Sequence, residues 1–126
     1  MSNYPKISEA EWEVMRVVWA SPGRTARGIH EAIPLERKWS EATVKTLIKR
    51  LCGKGVLRYE VDGRRYLYSA NVNQAECVQQ ESRTFMERVF GGSSQPLLAH
   101  FLEESELDRD EIAQLRKLLD EKERDA

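Results

Sequence analysis

The segment from Trp39 to Ser69 limits the fold most, because a capped helical pattern runs directly into a hairpin pattern. In its first half, apolar residues recur three and four positions apart, as on the buried face of an amphipathic helix. Asp62-Gly63 then separates two short runs of apolar and aromatic residues, which is a strong hairpin signal. A helix followed by such a hairpin predicts a winged helix-turn-helix, a mainly α fold with a small β-hairpin wing. The helical stripe consists of Val44, Leu47, Ile48 and Leu51.

Capping residues predict the elements on either side of this segment. Ser8 and Glu11 have the spacing of a capping box, Thr25 can cap a short second helix, and Ser40 can cap the third. Downstream, the Gly91-Gly92-Ser93-Ser94 break separates further helical patterns. We expect helices over residues 9–20 and 26–33, a third helix ending near 54, strands over 56–61 and 65–70, and three C-terminal helices over about 73–90, 96–103 and 108–122.

The polar side of the third helix has the residue types of a DNA-reading helix. Small residues near its start let the helix approach base edges closely, and a threonine methyl or an alanine can contact a thymine methyl. Basic residues further along suit phosphates and groove walls. An ordinary solvated basic face is the alternative, and the hairpin beside the helix favours DNA. The expected contact residues are Ser40, Ala42, Thr43, Lys45, Thr46, Lys49 and Arg50.

The hairpin tip adds a second basic element. Arg64 and Arg65 follow the predicted turn, and guanidinium groups suit both phosphates and a narrow minor groove. Tyr66 and Tyr68 share one face of the strand by its two-residue period. We expect Tyr66 to contact DNA and Tyr68 to pack in the domain.

The charge is divided between two halves of the chain, although the whole carries a net charge of -1. Residues 1–70 contain thirteen basic and eight acidic residues, and residues 71–126 contain seven and thirteen. A basic half suits phosphate binding, and an acidic half is repelled by a duplex. We therefore expect a DNA-binding domain over 1–71 and a helical dimerisation domain over 72–126. Its expected contacts are the apolar residues Val78, Phe85, Val89, Leu98, Phe101, Ile112, Leu115 and Leu119.

The sequence offers little for catalysis, metal binding or a cofactor. No phosphate loop, nucleophile elbow or cysteine and histidine pair at ligand spacing is present, and the two cysteines, Cys52 and Cys77, are expected to be free thiols, with a redox or metal role left open. No apolar run approaches the roughly 18 residues of a membrane span. We expect a cytoplasmic protein that is not an enzyme and does not insert into membranes.

Four fragments together resemble the penicillinase repressor family, the group of BlaI, MecI and CopY repressors. They are I-S-E-A-E-W-E-V-M-R-V-V-W at 7–19, W-S-E-A-T-V-K-T-L-I-K-R-L at 39–51, K-G-V-L at 54–57 and G-R-R-Y-L-Y at 63–68. The resemblance implies a homodimeric transcriptional repressor that binds inverted repeats in double-stranded operator DNA. It also implies an operon for β-lactam, antibiotic or stress response.

The resemblance further implies two different ways to release the repressor. In the β-lactam branch, a protease linked to a membrane sensor triggers cleavage at an Asn-Phe bond, and the matching position here is His100-Phe101, with histidine in place of asparagine. The copper branch carries a C-terminal cysteine motif that this chain lacks. A metal-responsive repressor and a protein-binding adaptor are kept as alternatives, and the inducing signal is left open.

Overall fold

A computed structural model describes residues 5–126, which contain six α-helices, one 3₁₀ helix and a two-stranded antiparallel sheet. These residues form two compact units that divide between Glu81 and Ser82. The mainly α fold with a hairpin wing is therefore confirmed. The elements are α1 Glu9–Ala20, α2 Ala26–Ala32, the 3₁₀ helix Leu35–Arg37, α3 Glu41–Gly53, β1 Leu57–Asp62, β2 Arg65–Ala70, α4 Gln74–Phe90, α5 Ser94–Glu104 and α6 Arg109–Asp125.

Local capping explains where most of the helices begin. The Ser8 hydroxyl accepts a hydrogen bond from the Glu11 backbone amide at 3.2 Å, and the Glu11 carboxylate accepts one from the Ser8 backbone amide at 2.8 Å. These two bonds complete the predicted capping box of α1. Asp108 and Glu111 form the same arrangement at α6. The α5 helix begins two residues earlier than predicted, so Pro96 is its third residue. Proline is tolerated at this position because the amide that it lacks would have had no partner within the helix.

The core of the N-terminal unit lies between α1, α2, α3 and the first residues of β1. Its most buried aliphatic side chains come from the predicted stripes of the three helices, and each contributes about 1.5–3 kcal/mol by leaving water. Trp12, Trp19 and Trp39 pack against this core as partly buried residues. Cys77 of α4 is also buried here, so the start of α4 belongs to this unit. The fully buried aliphatic residues are Val14, Met15, Val18, Ile29, Val44, Leu51 and Val56.

The hairpin turn differs by one residue from the sequence prediction. Asp62 pairs with Arg65, so β1 extends one residue beyond its predicted end at Val61, and the two central turn residues are Gly63 and Arg64. Gly63 has a φ of 64° and Arg64 has a negative φ, which is the pattern of a type II′ turn with glycine in first position. The turn directs the Arg64 backbone to the very tip of the wing.

The wing is attached to the rest of its unit through β2. The Tyr68 amide donates to the Arg24 carbonyl at 2.9 Å, and the Gly23 amide donates to the Tyr68 carbonyl at 2.8 Å. This bridge places the loop before α2 along the free edge of β2. The start of α2, the wing and α3 therefore lie together.

The C-terminal unit leaves many apolar side chains exposed. Of the predicted dimerisation residues in this unit, Val89, Leu98, Phe101, Ile112 and Leu119 are exposed, whereas Phe85 and Leu115 are partly buried. Val78, the remaining predicted residue, is also exposed but lies before the division, in the N-terminal unit. The domain boundary predicted at residue 71 stays a prediction, and so does the role of these residues in dimerisation. Within residues 5–126, no helix combines the length and apolar character needed to cross a membrane.

Candidate nucleic-acid interface

The α3 helix separates its two faces as the stripe predicts. Ser40 caps it, with its hydroxyl accepting the Thr43 amide at 3.1 Å. Four aliphatic residues of the helix are buried in the core. On the rest of its circumference, Ala42, Thr43, Lys45, Thr46, Lys49 and Arg50 are all exposed. The structure therefore brings the predicted contact residues of α3 onto the solvent side of one rigid element.

The hydroxyl groups at the start of α3 already have partners within the chain. The Ser40 and Thr43 hydroxyls lie 3.1 Å apart, and the Thr46 hydroxyl donates to the Ala42 carbonyl at 3.1 Å. Each hydroxyl keeps acceptor capacity for a base edge. Ser40 has a capping role in addition to any contact with a ligand, and its loss costs about 1 kcal/mol of helix stability.

The basic residues of α3 are available to an external anion. Lys45, Lys49 and Arg50 form no ion pair with any residue in the part of the chain that the structure describes. By contrast, Lys54 at the end of α3 donates to Glu11 at 2.5 Å and to the Lys6 carbonyl at 2.8 Å. The free cations thus lie on the outer face of α3, and Lys54 holds the helix end to the N-terminal segment.

A groove runs between the start of α2, α3 and the wing. Four basic residues and one acidic residue line it, so it is suited to a polyanion. Arg27 is the member that the sequence prediction missed, because only the bridge between Arg24 and Tyr68 brings α2 beside the wing. The lining residues are Thr25, Ala26, Arg27, Glu41, Lys45, Arg64, Arg65, Tyr66 and Tyr68.

The two arginines at the wing tip have different surroundings. Arg65 donates to the Asp62 carboxylate at 2.7 Å, so part of its charge is neutralised within the hairpin. Arg64 has no ion pair among residues 5–126. The tyrosines behind the tip pack together, with the Tyr59 and Tyr66 rings stacked at 4.6 Å. Tyr68 packs against the core, and burial raises the pKa of its hydroxyl.

The two cysteines are poorly suited to act as nucleophiles or as redox-active thiols. Cys52 and Cys77 are free thiols, and burial raises the pKa of each. The thiolate is the reactive form, so a raised pKa lowers reactivity. No group of three or more potential metal ligands occurs within the described residues.

The chain is similar to known repressors over nearly all of its length. The penicillinase repressor family model matches residues 7–121. The methicillin resistance regulatory protein MecI of Mammaliicoccus sciuri is 36% identical over 117 residues, which are 93% of this chain and 95% of MecI. The penicillinase repressor of Bacillus licheniformis is 31% identical over 121 residues, 96% of this chain and 94% of that protein.

Solved structures of a related repressor match more than half of the chain. The solution structure of the DNA-binding domain of the repressor BlaI has a TM-score of 0.52 and 32% identity, covering 60% of this chain and 93% of that one. Monomeric BlaI of Bacillus licheniformis, solved in complex with the blaP half-operator, has a TM-score of 0.51 with the same identity and coverage. This chain therefore belongs to the penicillinase repressor family of DNA-binding transcriptional regulators.

Proposed function

We propose that two copies of this chain bind an inverted-repeat operator and block transcription of an operon for β-lactam, antibiotic or stress response. One observation carries the proposal: α3 exposes three free cations and a row of small residues opposite its buried stripe. The similar BlaI domain was solved with a half-operator, which supports the same role for this surface. The protein acts without catalysis and in the cytoplasm, where its DNA is.

The residues of α3 divide into two roles. Ala42, Thr43 and Thr46 lie near the start of the helix and contact base edges in the major groove, with Ser40 at the cap. Lys45, Lys49 and Arg50 contact phosphates, which add affinity without sequence preference. The basic groove beside the wing holds the backbone of one strand through Arg27, Arg64, Arg65 and Tyr66.

The C-terminal unit joins the two copies. Its exposed apolar residues include Leu98, Phe101 and Leu119, which are 54%, 52% and 60% exposed. Large apolar side chains repeated along two helices mark a protein interface, and a second copy of the same chain is the simplest partner. The acidic charge of this half favours its position away from the duplex.

The family resemblance supports a protease linked to a membrane sensor as the agent that releases the protein from the operator, and we propose this route here. The His100-Phe101 bond corresponds to the cleavage position of the β-lactam branch, and both side chains are exposed on α5. Cleavage there would cut the C-terminal unit between two of its apolar residues and weaken the pairing of the two copies.

Selection of duplexes from a random library tests the proposed function. We expect the protein to enrich an inverted repeat whose half-sites lie about one helical turn, roughly 10 base pairs, apart. Sedimentation of the complex should give two protomers per duplex. An enriched single site bound by one protomer would contradict the dimer, and the absence of any enriched sequence would contradict operator recognition.

Substitutions at the wing tip distinguish its two arginines. Arg64→Ala should lower affinity for the selected duplex roughly 10-fold at low salt. It should also reduce the salt slope, which is the steepness with which the logarithm of the binding constant falls with the logarithm of the salt concentration, by about 2, because each dimer loses two phosphate contacts. Arg65→Ala should have a smaller effect, since Asp62 already neutralises part of that charge. Asp62→Asn is the matched control and should strengthen binding. Equal losses for both arginine variants in a salt titration would contradict this difference.

A further inference from the structure

Glu13 is a buried carboxylate that lies outside the proposed DNA surface and holds two arginines. It is 9% exposed on α1, and its Oε1 accepts Arg16 at 2.8 Å and Arg37 at 2.5 Å. The hydrogen bond from Arg37 lowers the pKa of Glu13, so the carboxylate is ionised at neutral pH. The Arg16 pair lies within α1, whereas the Arg37 pair joins residues 24 positions apart. Only the second pair connects α1 to the turn before α3.

That turn contains a strained residue immediately after Arg37. Lys38 has a φ of 55°, and it is the one residue other than glycine with a positive φ in the described part of the chain. A lysine in the left-handed region is uncommon, and such residues persist when the surrounding structure holds them in place. The turn needs a support of this kind because Ser40, two residues later, caps α3.

Two contacts hold Trp39, the residue between the strained turn and the cap. The Arg37 guanidinium lies 5.7 Å from the centre of the Trp39 ring, within the range of a cation–π contact. In addition, His30 of α2 donates its Nε2 hydrogen to the Trp39 backbone carbonyl at 2.7 Å. The start of α3 is thereby tied to α1 through Glu13 and Arg37, and to α2 through His30.

We propose that Glu13 is a positioning residue for sequence recognition: through Arg37 it fixes the left-handed turn at Lys38 and so the place where α3 begins. This inference rests on the proposed function, in which the first turns of α3 read bases. Glu13 is buried and faces Arg16 and Arg37, so it acts through the turn and not by contact with DNA. Base recognition requires that the residues around the contact side chains hold them in place to within about 0.5 Å.

The position of the turn predicts which part of DNA binding depends on Glu13. Ala42 and Thr43 lie in the first turn after the cap, whereas Lys49 and Arg50 lie about two turns further along a helix whose core residues stay packed. A looser start therefore displaces the base contacts and leaves the phosphate contacts in place. Recognition of one sequence should weaken, and nonspecific affinity should not.

Glu13→Gln and Arg37→Gln test this inference in the 126-residue chain, with Arg16→Ala as the matched control. Arg16→Ala removes the other guanidinium from the same carboxylate without altering the turn. The probes are the duplex that the wild-type protein selects from a random library and a scrambled duplex of the same length. We expect both glutamine variants to bind the selected duplex about 10-fold more weakly and the scrambled duplex within twofold of wild type, at an unchanged salt slope. Arg16→Ala should match wild type.

Hydrogen exchange gives a second readout that does not depend on DNA. Amides of residues 35–43 should exchange faster in both glutamine variants, while amides in the second half of α3 should not change. Unchanged exchange at residues 35–43, or an equal loss of affinity for both duplexes, would overturn the inference. If Glu13→Gln fails to fold, Arg37→Gln becomes the deciding variant. The Arg37 side chain is 40% exposed, so its replacement leaves the core intact.

Three further outcomes distinguish this inference from the alternatives and from the proposed function. A lower salt slope for Arg37→Gln alone would identify Arg37 as a phosphate contact and overturn the positioning role. If the wild-type protein selects a sequence and Glu13→Gln reads it equally well, only the positioning role is wrong. If the wild-type protein selects no sequence, operator recognition and the positioning role are both wrong.

Discussion

A fragment that ends at Glu81 should remain folded and bind the selected inverted repeat about 10²- to 10⁴-fold more weakly than the full chain. When two DNA-binding units are joined in one dimer, affinity rises by this factor, because binding of the second half-site becomes intramolecular. The fragment keeps Val72 and Cys77, which pack on the core of the N-terminal unit. Affinity for an isolated half-site should change far less, and titrations with both duplexes measure the two quantities.

A substitution in the 126-residue chain tests the same division without truncation. Leu119→Asp places a charge on the exposed apolar stripe of α6 and should separate the dimer in sedimentation at micromolar concentration. Ala113→Asp is the matched control, because it adds the same charge on the opposite side of the same helix. A fragment that stays dimeric, or equal effects of the two aspartate variants, would contradict the assignment of dimerisation to the C-terminal unit.

The sequence predicted best those elements whose signals are local. The bounds of α1 agree at both ends because a capping box starts that helix and Ser21-Pro22-Gly23 follows it. The apolar stripe of α3 predicted its buried face for the same reason. Four aliphatic residues at helical spacing lie on one side of the helix, so they are buried together when that side packs against the core. The winged helix-turn-helix followed from the order of these local patterns, and the family resemblance was confirmed.

Features that depend on contacts distant in sequence were not predicted. Arg27 lines the basic groove only because Arg24 pairs with Tyr68, 44 positions later. Glu13 looked like an ordinary charged residue of α1, although it binds an arginine of the turn before α3. Neither role has a signal in the nearest residues, since both depend on how the helices pack.

The wing shows how strand pairing decides between two similar turns. The Asp62-Gly63 pair predicted a hairpin at the right place, and the register of β1 with β2 moved the turn to Gly63 and Arg64. Asp62 then lies opposite Arg65 and pairs with it, so the tip has one free cation in place of two. The number of charges available to a ligand thus depends on a register that composition does not specify.

Replacing Lys49 and Arg50 together by alanine should weaken DNA binding more than any other surface change in α3. Both side chains are exposed and form no ion pair with residues 5–126, so their charge is available to phosphates. A dimer would lose four phosphate contacts, each worth about 0.9 in the salt slope, and affinity should fall roughly 10²- to 10³-fold near 0.1 M salt. Selected and scrambled duplexes should be affected alike.

The matched control is the pair Lys117→Ala and Lys122→Ala, which removes the same charge from α6. Its DNA affinity should change little, because those lysines belong to the acidic C-terminal half. Thermal unfolding separates binding from stability: Arg50 lies in the last turn of α3, where a cation favours the helix by about 0.3–1 kcal/mol. A loss confined to the selected duplex would show that Lys49 and Arg50 read bases, and an unchanged salt slope would remove α3 from the phosphate surface altogether.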